Sequence, residues 1–267
     1  MSTASHAHRT APWSAVIAYA ALNFRRMLRD WTNFVFNVVL PVLLFLIFGA
    51  SQDIEGQGFP GGNIPACVMV GMALYAGVSA AVSTASSTVV ENRSGWGRQL
   101  ALTPLTPLQI VVAQALIILL CSVLSIAAVF AVGALTGAEM PWEHWVICFM
   151  VTCAVSLPFG FFGLVWMLAV PNENTIGIAS TSVVILAFLG NLFLPLAEGY
   201  LELARYTPLY GAAALARWPV SDGYQVIKEA PFVIEESLWV ALLNCGAWAL
   251  IFCGAALLLQ QCDKARL

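Results

Sequence analysis

The segment Glu91-Asn-Arg-Ser-Gly-Trp-Gly-Arg-Gln-Leu-Ala-Leu-Thr-Pro-Leu-Thr-Pro107 decides how the rest of the sequence is read. It is a charged island, punctuated by glycine and proline, between two long apolar runs. Residues 64–90 contain no Asp, Glu, Lys or Arg, and neither do residues 99–138. Each run exceeds the roughly 20 residues that an α-helix needs to cross a bilayer. The island therefore lies in water beside a membrane, and Arg93 and Arg98 indicate the cytoplasmic side.

The composition excludes an ordinary soluble domain. Of 267 residues, 60% are hydrophobic and only 9% are charged, with a mean hydropathy of +0.86. The apolar runs are continuous, whereas a β-barrel has alternating segments of roughly ten residues. The net charge of −3 and the absence of a Lys/Arg tract argue against a nucleic-acid partner. We predict an all-α polytopic membrane protein.

Six transmembrane helices are predicted, with an N-terminal amphipathic interfacial helix before them. We assign residues 1–31 to a cytoplasmic tail and this helix, 32–260 to the transmembrane domain, and 261–267 to a second cytoplasmic tail. Eight of the 11 Lys and Arg residues lie in the N-terminal segment, the island and the C-terminal tail, which predicts both termini in the cytoplasm. The spans are expected at about residues 32–50, 65–90, 108–135, 145–170, 176–196 and 237–260.

Within the N-terminal segment, a helical projection separates apolar from basic residues. Arg25, Arg26 and Arg29 fall on one face, which predicts a helix lying on the membrane surface with its basic side toward the lipid headgroups. A cytosolic amphipathic helix is the alternative. The opposite, apolar face comprises Trp13, Val16, Ile17, Ala20, Phe24, Met27 and Leu28.

Two further patterns predict how the bundle is built. Ala73, Gly77, Ala81 and Ala85 recur every four residues in the second span, which indicates a close helix–helix contact either within one chain or between two. Residues 197–236 form a long loop with mixed charges and an uncharged piece at 206–216. That piece is too short to cross the membrane, so we expect a re-entrant or interfacial helical hairpin on the extracellular side, between spans five and six.

The sequence offers little catalytic chemistry. No titratable side chain lies in the central part of a predicted span, which disfavours an ion-coupled transporter. Ser79 lacks a histidine in any span to activate it, so an intramembrane hydrolase is disfavoured. A P-loop is absent, since the only lysines are 228 and 264. The seven cysteines lie almost entirely in apolar runs, so we expect neither a disulfide nor a metal site, and no catalytic residue or cofactor in this chain.

At this point a family resemblance becomes visible. Glu91-x-x-x-Gly95, followed by Leu100-x-x-Thr103-Pro104-Leu105-Thr106-Pro107, resembles the glutamate/glycine … Thr-Pro-Leu-Ser segment of ATP-binding-cassette transporter type-2 permeases. The similarity extends over nearly the whole chain. It includes the stretch from Gly190 to Pro195 and on through Pro208 to Arg217, which in that family resembles paired short helices dipping in from outside.

The resemblance implies a permease subunit of a drug, lipid or polysaccharide exporter in the bacterial plasma membrane. It implies a dimer, with a second copy or a paralogue, on two cytoplasmic ATPase subunits that bind ATP and Mg. The segment 91–107 would then be the main coupling helix, and the N-terminal helix would also contact the ATPase. The chain departs from the family in having Asn92-Arg93 beside the glutamate and the bulky Trp96.

Two sets of site residues follow as hypotheses. The first set is predicted to couple the chain to the ATPase, and its members also have alternative roles. Glu91 is then an ordinary loop carboxylate, Arg93 and Arg98 bind lipid phosphates, and Trp96 is an interfacial tryptophan. The coupling set comprises Glu91, Arg93, Gly95, Trp96, Arg98, Leu100, Thr103, Pro104 and Glu173. The second set is predicted to line the substrate path, and packing within the helix bundle explains the same residues equally well. The path set comprises Tyr75, Ser79, Ser83, Phe188, Asn191 and Phe193.

A hydrophobic or amphipathic cargo, drug or antibiotic, is expected over lipid or polysaccharide. The alternative from another functional class is a membrane scaffold protein that transports nothing. The sequence does not distinguish a homodimer from a heterodimer.

Overall fold

The computed structural model describes residues 13–49, 58–91, 105–170, 172, 174–228 and 232–264. It confirms the prediction of an all-α polytopic membrane protein. The described residues include a shorter apolar helix, Thr175–Leu189, besides five helices that are long and apolar enough to cross a membrane. These five are Trp31–Phe48, Ile64–Val90, Leu108–Leu135, Trp142–Ala169 and Leu238–Gln261.

The N-terminal part is a surface helix followed by a first span with an irregular turn. Asp30 separates the two helices, because its carboxylate accepts hydrogen bonds from the backbone N–H groups of Thr32 and Asn33 and so caps the second helix. The π-helical turn ends two residues before Pro41, and the helix continues through this proline. The elements are α1 (Trp13–Arg29), α2 (Trp31–Phe34), the π-helix Val35–Val39 and α3 (Leu40–Phe48).

The central helix is α4 (Ile64–Glu91), which follows a minimal hairpin of β1 (Gly58–Phe59) and β2 (Gly62–Asn63). Its apolar core is 94% buried, and it contacts α3 and most of the later helices. The small-residue stripe makes this possible, since a Cβ added at Gly77 would lie 2.6 Å from Ile126 and 3.2 Å from Ser156. The stripe is therefore a contact within one chain.

The next helix, α5 (Pro107–Leu135), begins with a capping box. Thr106 accepts a hydrogen bond from the N–H of Gln109, whose side chain accepts one from the N–H of Thr106. Buried residues Val16 and Ala20 of α1 pack against the first half of this helix.

The fourth span is interrupted, which the sequence did not predict. It starts at Trp142 instead of residue 145 and consists of α6 (Trp142–Ser156) and α7 (Phe159–Ala169). Pro158 has no N–H to continue the hydrogen bonding of α6, and α7 begins directly after it.

The fifth span is shorter than predicted. The helix α8 (Thr175–Leu189) ends before Gly190, whereas the sequence suggested continuation to about residue 196. Asn191 has a positive φ of 56°, and its side-chain carbonyl accepts the N–H of Leu196, so the chain turns here. At about 1.5 Å per residue, α8 spans about 22 Å, less than the roughly 30 Å hydrocarbon layer.

The region 197–236 contains two short helices and a hairpin. They are α9 (Glu198–Ala204), α10 (Pro208–Ser221), β3 (Tyr224–Val226) and β4 (Val233–Glu235). The helix α10 is buried along most of its length against α4, α6, α8 and α11 (Leu238–Lys264). The strands were not predicted. Asn244 of α11 donates a hydrogen bond to the backbone carbonyl of Arg205, which explains how a polar residue is accommodated in this last span.

Candidate functional site

The junction of α4 and α5 defines one end of the bundle, which we call the junction end. The two helices pack against each other, and α4 ends at Glu91 where α5 begins at Pro107. The side chain of Glu91 lies outside the described part of the structure. So do the remaining members of the predicted coupling set: Arg93, Gly95, Trp96, Arg98, Leu100, Thr103, Pro104 and Glu173.

The surface helix α1 lies near the junction end. Leu105, near the end of the coupling segment, packs with Met27 against the apolar cluster that contains Val16 and Ala20. Arg25, Arg26 and Arg29 are exposed in the second half of α1. The basic helix and the described end of the coupling segment, from Leu105 on, are thus neighbours in the fold, although their contact with lipid or ATPase stays a prediction.

The C-terminal helix runs toward the same end. In its first half, Asn244 donates a hydrogen bond to the carbonyl of Arg205 in the loop before α10. Further along, Phe252 packs on Phe159 and Phe162 of α7. The described end at Lys264 therefore lies on the side of the bundle where α1 and the α4–α5 junction lie.

Four residues of the predicted substrate path come together toward the opposite end. The ring of Phe193 packs edge-on against Tyr75 and Phe188, with centroid distances of 5.0 Å and 4.9 Å. Asn191 donates to the carbonyl of Val226 at 3.0 Å, which ties the turn after α8 to strand β3. Tyr75, Asn191 and Phe193 are buried, whereas Phe188 is exposed.

The two serines of the predicted path lie deeper along α4. Ser83 accepts a hydrogen bond from Asn37 in the π-helical turn at 2.9 Å and donates one to the carbonyl of Ala80. Ser79 is also buried. The contact with Asn37 joins the first and second spans, so Ser83 has a packing partner in the single chain.

A cavity of about 120 Å³ lies at the opposite end, bordered by the turn after α8. We call it the Arg217 cavity. Sequence reasoning assigned no role to Arg217, Cys67 or Gln225, which line it together with the predicted Asn191 and Phe193. The sequence feature that could have identified Arg217 is its position directly after the uncharged piece 206–216. Its other walls are Phe48, Phe59, Ile64, Val68, Leu192, Leu194, Pro195, Tyr224 and Val226.

A larger cavity of about 410 Å³ lies toward the junction end, between α4, α5 and the α6–α7 break. Its walls are almost entirely apolar, and Phe161 and Val111 are partly open to the surroundings. None of the predicted path residues borders it. The wall residues are Ala85, Thr88, Val111, Val112, Gln114, Ala115, Leu116, Ile118, Leu119, Leu157, Gly160, Phe161 and Leu164.

An ionic cluster of Arg205, Tyr210 and Glu236 connects the loops at the opposite end. Glu236 is buried and accepts hydrogen bonds from Arg205 at 3.1 Å and from the Tyr210 hydroxyl at 2.9 Å. Burial and the negative charge of Glu236 raise the pKa of Tyr210, so this phenol remains a hydrogen-bond donor at neutral pH.

Comparison with known proteins agrees with this architecture. Residues 14–202, more than half of the chain, match the family model described as ABC-2 type transporter. The chain belongs to the ABC-2 type transporter family. As an ABC-2 type membrane domain, it is a transport subunit and not a catalytic one. Comparison with curated proteins gave no significant match. The ABC-2 match ends within α9, so α10, the β3–β4 hairpin and α11 lie beyond it.

Proposed function

We propose that this ABC-2 type protein is the permease subunit of an exporter that moves a hydrophobic or amphipathic compound, drug or antibiotic, out of the cell. A separate cytoplasmic ATP-binding-cassette subunit supplies the energy. The observation that carries the proposal is the family match over residues 14–202. The absence of a P-loop from the sequence supports a motor on another chain.

Coupling through the segment 91–107 is supported by the bundle geometry. The segment joins α4, the most buried helix, to α5, which packs against it. A force applied to the segment between these two helices reaches the centre of the bundle directly. The neighbouring α1, with its exposed arginines, is suited to a second contact with an ATPase or with anionic lipid.

The cargo class rests on the apolar cavity. Its 410 Å³ volume falls within the range of about 300–1,000 Å³ typical of small-molecule sites, and its walls suit a hydrophobic compound. A lipid or polysaccharide cargo is the alternative within the family. A polysaccharide is disfavoured by the scarcity of polar groups on these walls.

The proposal is tested by purification in mild detergent together with the ATPase that accompanies the chain. We expect a stable complex whose ATPase activity rises with hydrophobic compounds, and a dimeric arrangement of permeases. Glu91→Ala and Trp96→Ala should reduce this stimulation while leaving membrane insertion intact. A chain that inserts and folds but retains no ATPase would favour the scaffold alternative.

A further inference from the structure

Arg217 is a buried cation in a helix that lies beyond the family match. It is 7% exposed, and its guanidinium lies against α4 at Gly71, where an added Cβ would overlap Nη2. Nη1 donates to the carbonyl of Asn191 at 2.9 Å, and Nη2 donates to that of Leu192 at 3.2 Å. Both acceptors are neutral carbonyl groups. They fix the orientation of the guanidinium but leave its charge uncompensated.

Within the part of the chain that the structure describes, no carboxylate pairs with Arg217. The carboxylate of Glu236 pairs with Arg205 instead. The Nε–H of Arg217 and the Nε2 amide of Gln225 are both buried without a hydrogen-bond partner. Gln225 is only 3% exposed. Unpaired buried donors and an unpaired buried charge are unfavourable, so they mark a place where an anion would be stabilised.

The Arg217 cavity offers room for such an anion. Its 120 Å³ is several times the roughly 10–15 Å³ that one water molecule requires, and it is large enough for a carboxylate or phosphate group. Arg217 and Gln225 are among its lining residues. Phe48, Phe59 and Val68 supply apolar walls. Polar side chains combined with apolar walls are complementary to an acidic group attached to a hydrocarbon chain.

We propose that the Arg217 cavity binds the carboxylate or phosphate group of an acidic amphiphile, with the hydrocarbon part against Phe48 and Val68. The amphiphile is either an anionic lipid or a cargo molecule, and only the second case rests on the proposed function. Binding itself requires neither an ATPase nor transport. Failure of binding would therefore leave the exporter proposal intact, and failure of ATPase coupling would leave this site intact.

The test uses the full chain in a neutral maltoside detergent and measures bound ligand by native mass spectrometry. Oleate and dioleoylphosphatidylglycerol are the anionic probes, which distinguish a fatty-acid-like cargo from a lipid. Dioleoylphosphatidylcholine is the zwitterionic control, and inorganic phosphate tests the headgroup alone. We expect the anionic probes to bind more tightly than the controls.

Arg217→Gln should weaken binding of the anionic probes by roughly tenfold or more, because it removes a charge-assisted hydrogen bond. Arg217→Lys, which keeps the charge, should retain part of the affinity. The matched control is Lys228→Gln, an exposed cation near the same strand, which should change affinity by less than about twofold. If Arg217→Gln does not fold, Gly71→Ala provides the second test, since the new methyl group displaces the guanidinium.

Three results would overturn the proposal. The first is unchanged affinity in Arg217→Gln, or an equal loss in Lys228→Gln. The second is inorganic phosphate binding as tightly as oleate, which would show that the hydrocarbon chain contributes nothing to binding. The third concerns Asp53, Glu55 and Glu229, which lie outside the described residues. A variant neutralising all three should leave affinity unchanged, and a large gain would reveal an internal counter-ion in place of a ligand site.

Discussion

At the scale of single residues, Gly163 marks a tight contact between α7 and the backbone of α4. A Cβ there would lie 2.6 Å from the carbonyl oxygen of Val82 and 3.1 Å from Ser86 Oγ. Backbone cannot move aside as a flexible side chain can. We expect Gly163→Ala to destabilise the protein by about 1–3 kcal/mol, measured as thermal unfolding in detergent.

Gly177→Ala is the control for that substitution. Gly177 also lies in an apolar helix, but no atom would approach its added Cβ within 4 Å. The change should be neutral or stabilise by up to about 1 kcal/mol through helix propensity. Equal losses of stability in both variants would contradict the close packing of α7 on α4.

The ionic cluster at Glu236 gives a prediction for alkaline pH. The pKa of Tyr210 is raised in the folded state by burial and by Glu236, above the unfolded value of about 10. Its stabilising contribution is therefore fully present below about pH 10 and is lost as pH rises toward the folded value. The difference in unfolding temperature between wild type and Tyr210→Phe should be constant from neutral pH to about pH 9 and shrink above that. A difference that stays constant from neutral pH to about pH 11 would contradict the raised pKa of Tyr210.

Residue roles were predicted unevenly from the sequence, for a physical reason. Tyr75, Asn191 and Phe193 were proposed together because aromatic and polar residues stand out in apolar helices, and the structure brings them together. Arg217 was passed over, since a charged residue in a long loop is ordinarily solvated. Only the packing of α10 into the bundle buries it, and that packing is a tertiary property.

At the scale of elements, two prolines inside apolar spans, Pro41 and Pro158, show why a helix break was missed. The first span continues through Pro41 after a π-helical turn, whereas Pro158 separates α6 from α7. Both prolines remove one backbone donor, and the neighbouring sequence is apolar in each case. The outcome depends on which neighbouring groups pack around the freed carbonyl, which single-span patterns do not contain.

The start of α5 yields a prediction about coupling. Thr106 accepts the N–H of Gln109 at 3.3 Å and completes the capping box at the end of the coupling segment. Thr106→Ala should lower stability by about 1 kcal/mol and loosen the link between that segment and α5. In the assembled transporter, we expect a lower compound-stimulated ATPase rate with unchanged basal ATPase activity.

Thr136→Ala serves as the comparison at the other end of the same helix. Its hydroxyl donates to the carbonyl of Val132 at 2.9 Å, far from the junction end. It should leave the stimulated ATPase rate close to that of the wild type. Equal loss in the two variants would mean that general helix stability, and not the junction, sets the rate.

At the scale of the whole molecule, the sequence predicted the all-α membrane architecture because long uncharged runs have few alternative structures. The α4–α5 junction, α1 and the end of α11 lie on one side of the bundle, as expected if the basic segments share the cytoplasm. The shortness of α8 was not predictable, since the chain turns at Asn191, whose side chain bonds Leu196 and the distant Val226 of β3.

The central claim is that a separate ATPase engages this chain through the segment 91–107. The most direct measurement places a photo-reactive p-benzoylphenylalanine at Trp96 in cells and identifies the cross-linked protein. Trp142, exposed at the opposite end of the bundle, is the matched control position. We predict a cross-link to an ATP-binding-cassette subunit from position 96 and none from position 142. A cross-link to that subunit from position 142 alone, or labelling of position 96 from outside the cell, would contradict the account.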